Sequence, residues 1–120
     1  MTEPTLPTYQ LLIQLAEPVS VLIGRLGAFD LPAGRYVYTG SAKSNPAARI
    51  ARHLSREKRL RWHIDYLLAA PGAAIAGTLR FQEPECVINR TTDGRILIPR
   101  FGASDCRSGC GSHLKFLDYD

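Results

Sequence analysis

A phenol, a glycine, a guanidinium and an imidazole follow one another at Tyr38, Gly40, Arg49 and His53. An arginine presents fixed donors that match the oxygens of a phosphate. An imidazole changes charge near neutral pH and can carry a proton beside that phosphate. Lys43 lies between them and can bind an adjacent phosphate or relay a proton. Arg49 and His53 are one helical turn apart, so they share a face of any helix that carries them. Arg52 precedes His53 and can face another way. Together these residues suit the holding of a phosphate and the movement of a proton next to it.

The elements that must position them are legible around the same stretch. Tyr36, Val37 and Tyr38 favour a strand. Gly40 ends it, because glycine tolerates turn dihedrals. Ser44 or Asn45 then caps a helix, with Pro46 in its first turn. That helix runs to about Glu57, with Ala47, Ile50, Ala51 and Leu54 at helical spacing. Its other face is basic, with Arg49, Arg52, Arg56, Lys58 and Arg59. Upstream, Met1 to Pro7 is a loose, polar leader. Tyr9–Leu15 and Val19–Ile23 are strand-like around a Glu17-Pro18 turn and should pair as a hairpin. A loop from Gly24 to Gly34 leads into the Tyr36–Tyr38 strand, giving a small sheet with Tyr9 and Tyr38 on different strands.

Downstream, Leu60–Ala70 reads as a second helix. Trp62 and Tyr66 are one turn apart and suit inward packing, which turns His63 and Asp65 elsewhere. His63 then either satisfies nearby backbone or meets a substrate phosphate. Ala73–Phe81 reads as a strand, Pro84 and Glu85 open a short helix, and Asp93-Gly94 makes a turn. Ile96–Ile98 is a short apolar run, Phe101–His113 a Gly/Ser/Cys-rich loop, and Leu114–Leu117 a closing strand.

A length of 120 residues fits one domain, and 45% hydrophobic with 22% charged residues is ordinary for a globular protein. The net charge of +4 suits a phosphate-bearing partner without demanding one. No apolar run spans a bilayer, and the first residues lack the order of a secretory signal, so a cytoplasmic protein with no membrane partner is expected. The three cysteines then sit in a reducing setting, as thiols or on a metal. Cys86, Cys106, Cys110 and His113 supply zinc-ligand types, but at a spacing unlike a zinc-ribbon knuckle. Buried thiols are the commoner outcome.

Tyr38-Thr39-Gly40, followed by Ser-Ala-Lys and an Arg-x-x-x-His helix, resembles the second half of the GIY-YIG nuclease signature. Pro7-Thr8-Tyr9 falls where its first triplet belongs, matching the tyrosine but not the glycine. The blocks Trp62-His63-Ile64-Asp65-Tyr66-Leu67, Glu85-Cys86, and Phe101-Gly102-Ala103-Ser104-Asp105-Cys106 through Ser112-His113-Leu114 resemble the Uri-like endonuclease branch, also labelled domain of unknown function 123. The resemblance spans nearly the whole chain.

It implies an α+β fold with a three-stranded antiparallel sheet flanked by helices. It also implies phosphodiester hydrolysis with one divalent ion, Mg2+ or Mn2+. Carried over by position, Tyr9, Tyr38, Arg49 and His53 are the expected catalytic groups, and Glu85 holds the metal. Gly40, Lys43, Arg52 and His63 fall on the substrate side. Asn89 lies too close to Glu85 to match the family's downstream asparagine. Asp105 offers a further carboxylate if it faces the cleft. A phenol near a cation and an arginine has a lowered pKa, so Tyr9 or Tyr38 can accept a proton from water, with the choice between them open.

The reading is a metal-dependent endonuclease acting on DNA, with RNA left open, in repair or processing of structured DNA. A lone domain of this size is expected either to have low intrinsic selectivity or to borrow specificity from a protein partner. Two other classes compete: a nucleic-acid-binding module with weak catalysis, favoured by the missing signature glycine, and a small structural domain within a larger repair assembly.

Overall fold

Tyr9 to Leu15 is apolar nearly throughout, as suits a strand covered on both faces. In the computed structural model, which describes residues 7–41, 46–55, 62–102 and 111–118, this stretch is the inner strand β1 (Thr8–Leu15). It pairs antiparallel with β4 (Gly34–Ser41) on one side and β5 (Ala73–Phe81) on the other. A last strand, β6 (Leu114–Asp118), pairs with β4, giving the order β5-β1-β4-β6.

The remaining strands, β2 (Val19–Ile23) and β3 (Gly27–Leu31), form a separate two-stranded sheet joined by a 3-10 turn at Gly24–Leu26. Val19–Ile23 therefore does not pair with β1 as the Glu17-Pro18 turn suggested. Its partner lies inside the expected Gly24–Gly34 loop. Alternating exposure along both strands shows why: the pair buries one face alone, with Ile23 and Leu31 in the core. The main sheet has four strands rather than three.

Three helices complete an α+β arrangement with a mostly antiparallel sheet: α1 (Pro46–Leu54), α2 (His63–Leu68) and α3 (Glu85–Thr91). The expected caps Ser44 and Asn45 and the basic residues Arg56, Lys58 and Arg59 lie outside the described residues, as do Met1 to Leu6 and the expected helix end at Glu57. None of the described helices is long and apolar enough to cross a membrane.

The antiparallel register sorts the side chains into two faces. Tyr9, Leu11, Ile13, Tyr36, Tyr38, Leu114 and Phe116 share one, and they pack with Ile64, Leu67, Ile98 and Phe101. The other face carries Gln10, Thr39 and Lys115, and there α3 sits on hydrogen bonds. Gln10 Nε2 donates to Thr39 Oγ1 at 3.1 Å and to Thr92 Oγ1 at 2.8 Å. Lys115 Nζ donates to the carbonyls of Asn89 and Thr92, at 2.7 and 2.9 Å, where α3 ends. Asn89 Nδ2 donates to the Ser112 carbonyl at 2.8 Å. Asn89 is thus a structural clamp for α3.

Gln10 is 5% exposed, so removing its amide strands the hydroxyls it serves. Gln10→Ala should lower the unfolding free energy by about 2 kcal/mol, read from urea unfolding. A loss under about 0.5 kcal/mol would mean that water replaces the amide without penalty.

Candidate functional site

β1 begins and β4 finishes at the same end of the sheet, where Tyr9 stands opposite Gly40. Gly40 lies within β4 and is extended rather than in a turn. Its reason for being glycine is the neighbouring ring. A Cβ there would lie 2.7 Å from Cζ and the hydroxyl oxygen of Tyr9, and 3.1 Å from the Tyr38 ring. The missing side chain makes room for the Tyr9 phenol.

That phenol reaches α1, where its hydroxyl is 2.7 Å from His53 Nε2. The Tyr9 and Tyr38 ring centroids are 6.5 Å apart, and that of His53 is 5.4 Å from Tyr9 and 6.2 Å from Tyr38. Trp62, at the start of α2, closes the group, its centroid 5.7 Å from His53. Arg49 and Arg52 both lie over the Trp62 ring, at 4.7 and 4.2 Å. Their remaining contacts differ. Arg52 forks onto Asp65 at 2.9 and 3.0 Å, and Asp65 also accepts the Trp62 backbone N–H at 2.9 Å. Arg49 donates one nitrogen to the Ser41 carbonyl at 2.9 Å and turns toward Tyr9.

Two expectations change here. Arg52 was placed among the substrate contacts, but its fork serves Asp65. Asp65 does not turn away from the fold but is fully buried, since the arginine and the helix-start N–H satisfy its oxygens.

Glu85 is the first residue of α3, with its side chain 34% exposed. Its charge, like that of Arg49, is felt by both phenols. Its Oε2 is 3.4 Å from Nδ1 of the buried His113. His63 is half-buried, and its Nδ1 accepts the Gly102 N–H at 2.8 Å. Burial lowers its pKa. In the neutral ring Nε2 therefore carries the hydrogen.

The protein's own groups do not supply the lowered phenol pKa expected beside a metal and an arginine. Burial raises both well above the usual phenol value; for each, Glu85 adds to the rise and Arg49 opposes it, and Tyr9 further raises Tyr38. Of the zinc set, Cys106 and Cys110 lie outside the described residues, as do Lys43 and Asp105. Cys86 is half-buried next to Glu85, and His113 faces Glu85 and the Thr39 carbonyl. No group of three or more His, Cys, Asp or Glu gathers as a metal site among the described residues.

Asp65 and His113 were missed as partners of Arg52 and Glu85. Asp65 had a local signal, since a carboxylate three residues after a helix start is a capping pattern. His113 had none, because it lies far from α3 along the chain.

The family model described as "Domain of unknown function DUF123" matches residues 8–120. This chain belongs to the DUF123 family. No curated protein and no solved structure matches it. Within this DUF123 chain the match runs from the start of β1 through β6, so every element that carries a site residue falls inside it.

Arg52→Ala should leave a buried Asp65 carboxylate with one backbone donor. Urea unfolding should show a loss of about 3 kcal/mol. A protein as stable as wild type would show that Asp65 is satisfied without its arginine.

The phenols set an alkaline limit. Their folded pKa lies above the ordinary 10.0, so the folded state holds protons that the unfolded state releases. Their contribution is therefore full below pH 10.0 and is lost as pH rises above it. Urea unfolding from about pH 9 to about pH 11 should show this decline, and Tyr38→Phe should flatten it. An equal slope in that variant would place the alkaline loss elsewhere.

Proposed function

We propose that this chain is a metal-dependent phosphodiester hydrolase acting on nucleic acid, DNA first, on a GIY-YIG-like scaffold. One observation carries the reading: the Tyr9 hydroxyl bonds His53 Nε2 at 2.7 Å, while Arg49 and Glu85 both act on that phenol. These groups come from β1, α1 and α3, which are far apart in sequence.

The residues present fit a hydrated divalent ion better than a caged one. Mg2+ keeps several waters and needs only one or two carboxylates, and Glu85 offers one that is partly open to solvent. Bound there, the ion supplies positive charge to a non-bridging oxygen and to the leaving oxygen. Arg49, fixed by Ser41 and Trp62, holds the phosphate with its remaining donors. Burial keeps the Tyr9 phenol protonated, so its O–H donates to His53 Nε2. His53 then takes that proton when the phenol oxygen accepts one from the attacking water, so tyrosine and histidine act as one relay. His63 presents Nε2–H to the substrate, and a bound protein supplies sequence or shape preference.

A second reading is a nucleic-acid-binding module with little turnover. It draws on the burial of Tyr9, 1% exposed, and Tyr38, 9% exposed, which slows any proton step through a phenol.

The test is cleavage of single-stranded, duplex and branched DNA, and of RNA, with Mg2+ or Mn2+. Glu85→Gln and Arg49→Ala should each lower the rate by about 100-fold or more, while Glu85→Gln keeps salt-dependent binding. Binding without cleavage of any substrate selects the module. Neither binding nor cleavage removes both readings.

A further inference from the structure

α3 faces the segment Ser112-His113 with two side chains one turn apart. Asn89 Nδ2 donates to the Ser112 carbonyl at 2.8 Å. Glu85, at the start of the helix, meets the next residue, with its Oε2 3.4 Å from His113 Nδ1. The same Nδ1 is 3.2 Å from the Thr39 carbonyl. A carbonyl oxygen only accepts, so Nδ1 must carry the hydrogen, and the carboxylate meets an N–H rather than a lone pair.

The ring has little freedom to choose otherwise. His113 is 1% exposed. Its carbonyl accepts the Thr39 N–H at 2.9 Å, and its own N–H donates to the Phe101 carbonyl at 2.8 Å. Main-chain bonds on both sides therefore pin the residue that points Nδ1 at Glu85. Glu85 itself, partly exposed at a helix start, would otherwise sample several rotamers.

From this geometry we infer that His113 is the positioning residue for Glu85. Its Nδ1–H, shared with the Thr39 carbonyl, keeps one carboxylate oxygen 3.4 Å away and leaves the other to take up a divalent ion. His113 touches neither substrate nor metal in this arrangement. The inference rests on the proposed role of Glu85 as metal ligand, and it gives His113 work other than zinc binding.

The amide of asparagine can place an N–H near the position of Nδ1, whereas that of glutamine falls nearer Nε2. Binding of Mn2+ alone, measured by calorimetry on the full chain, should therefore separate His113→Asn from His113→Gln and His113→Leu. Affinity should stay within about two-fold of wild type in His113→Asn and fall by about ten-fold or more in the other two. Cleavage with excess Mn2+ should recover in part. Thermal melts report whether each variant folds, and if His113→Leu does not, the Asn and Gln pair decides. Equal affinity in folded Asn and Gln variants overturns the inference while leaving Glu85 as ligand. If Glu85→Gln also binds Mn2+ as wild type does, the reading of the site fails, and the inference falls with it.

Discussion

The arrangement depends on one close approach, the Tyr9 ring over a residue with no side chain. Because Gly40 lacks a Cβ, the phenol can lie across β4 and reach α1. There it meets His53, whose ring is buried and could not be left without a polar neighbour. The contact between β1 and α1 is thus a hydrogen bond between two groups that can exchange a proton. A larger residue at position 40 would separate the sheet end from the helix and the phenol from its acceptor at once.

The two arginines of α1 show how one helix divides similar side chains between two tasks. Both stack on Trp62, which fixes their planes. Arg52 is then drawn inward by a carboxylate that is itself the start of α2. Among the described residues Arg49 leans on a strand carbonyl rather than a carboxylate. A buried acid on the next helix is what separates the structural arginine from the one at the site.

Much of this was legible in the sequence because the signals are local. The β-branched and aromatic run at Tyr36–Tyr38, the proline at the start of α1, the small apolar run Ala73–Phe81 and Pro84 before α3 each mark an element. The pairing of strands was less legible. Val19–Ile23 follows β1 after a short turn, and proximity favours a hairpin, but its one-sided burial needs a partner outside the main sheet. The site divided in the same way. Tyr9, Tyr38, Arg49, His53 and Glu85 could be named from the resemblance, and the Tyr9, Tyr38 and His53 rings do pack together. The direction of the phenol pKa shifts, the buried state of Asp65 and the neighbour of Glu85 could not be named. They depend on how deeply the sheet end is covered and on contacts between residues far apart along the chain.

The seat of α3 has a consequence for how the site can fail. Apolar interfaces slide, because dispersion is indifferent to small changes of register. The bonds from Gln10, Asn89 and Lys115 are directional and partly shared, so a helix displaced by one residue would satisfy none of them. α3 therefore has one seated position and no graded alternatives. Its carboxylate is delivered in register or withdrawn with the whole helix, so in a partly unseated population the fraction of competent molecules changes while each seated molecule stays the same.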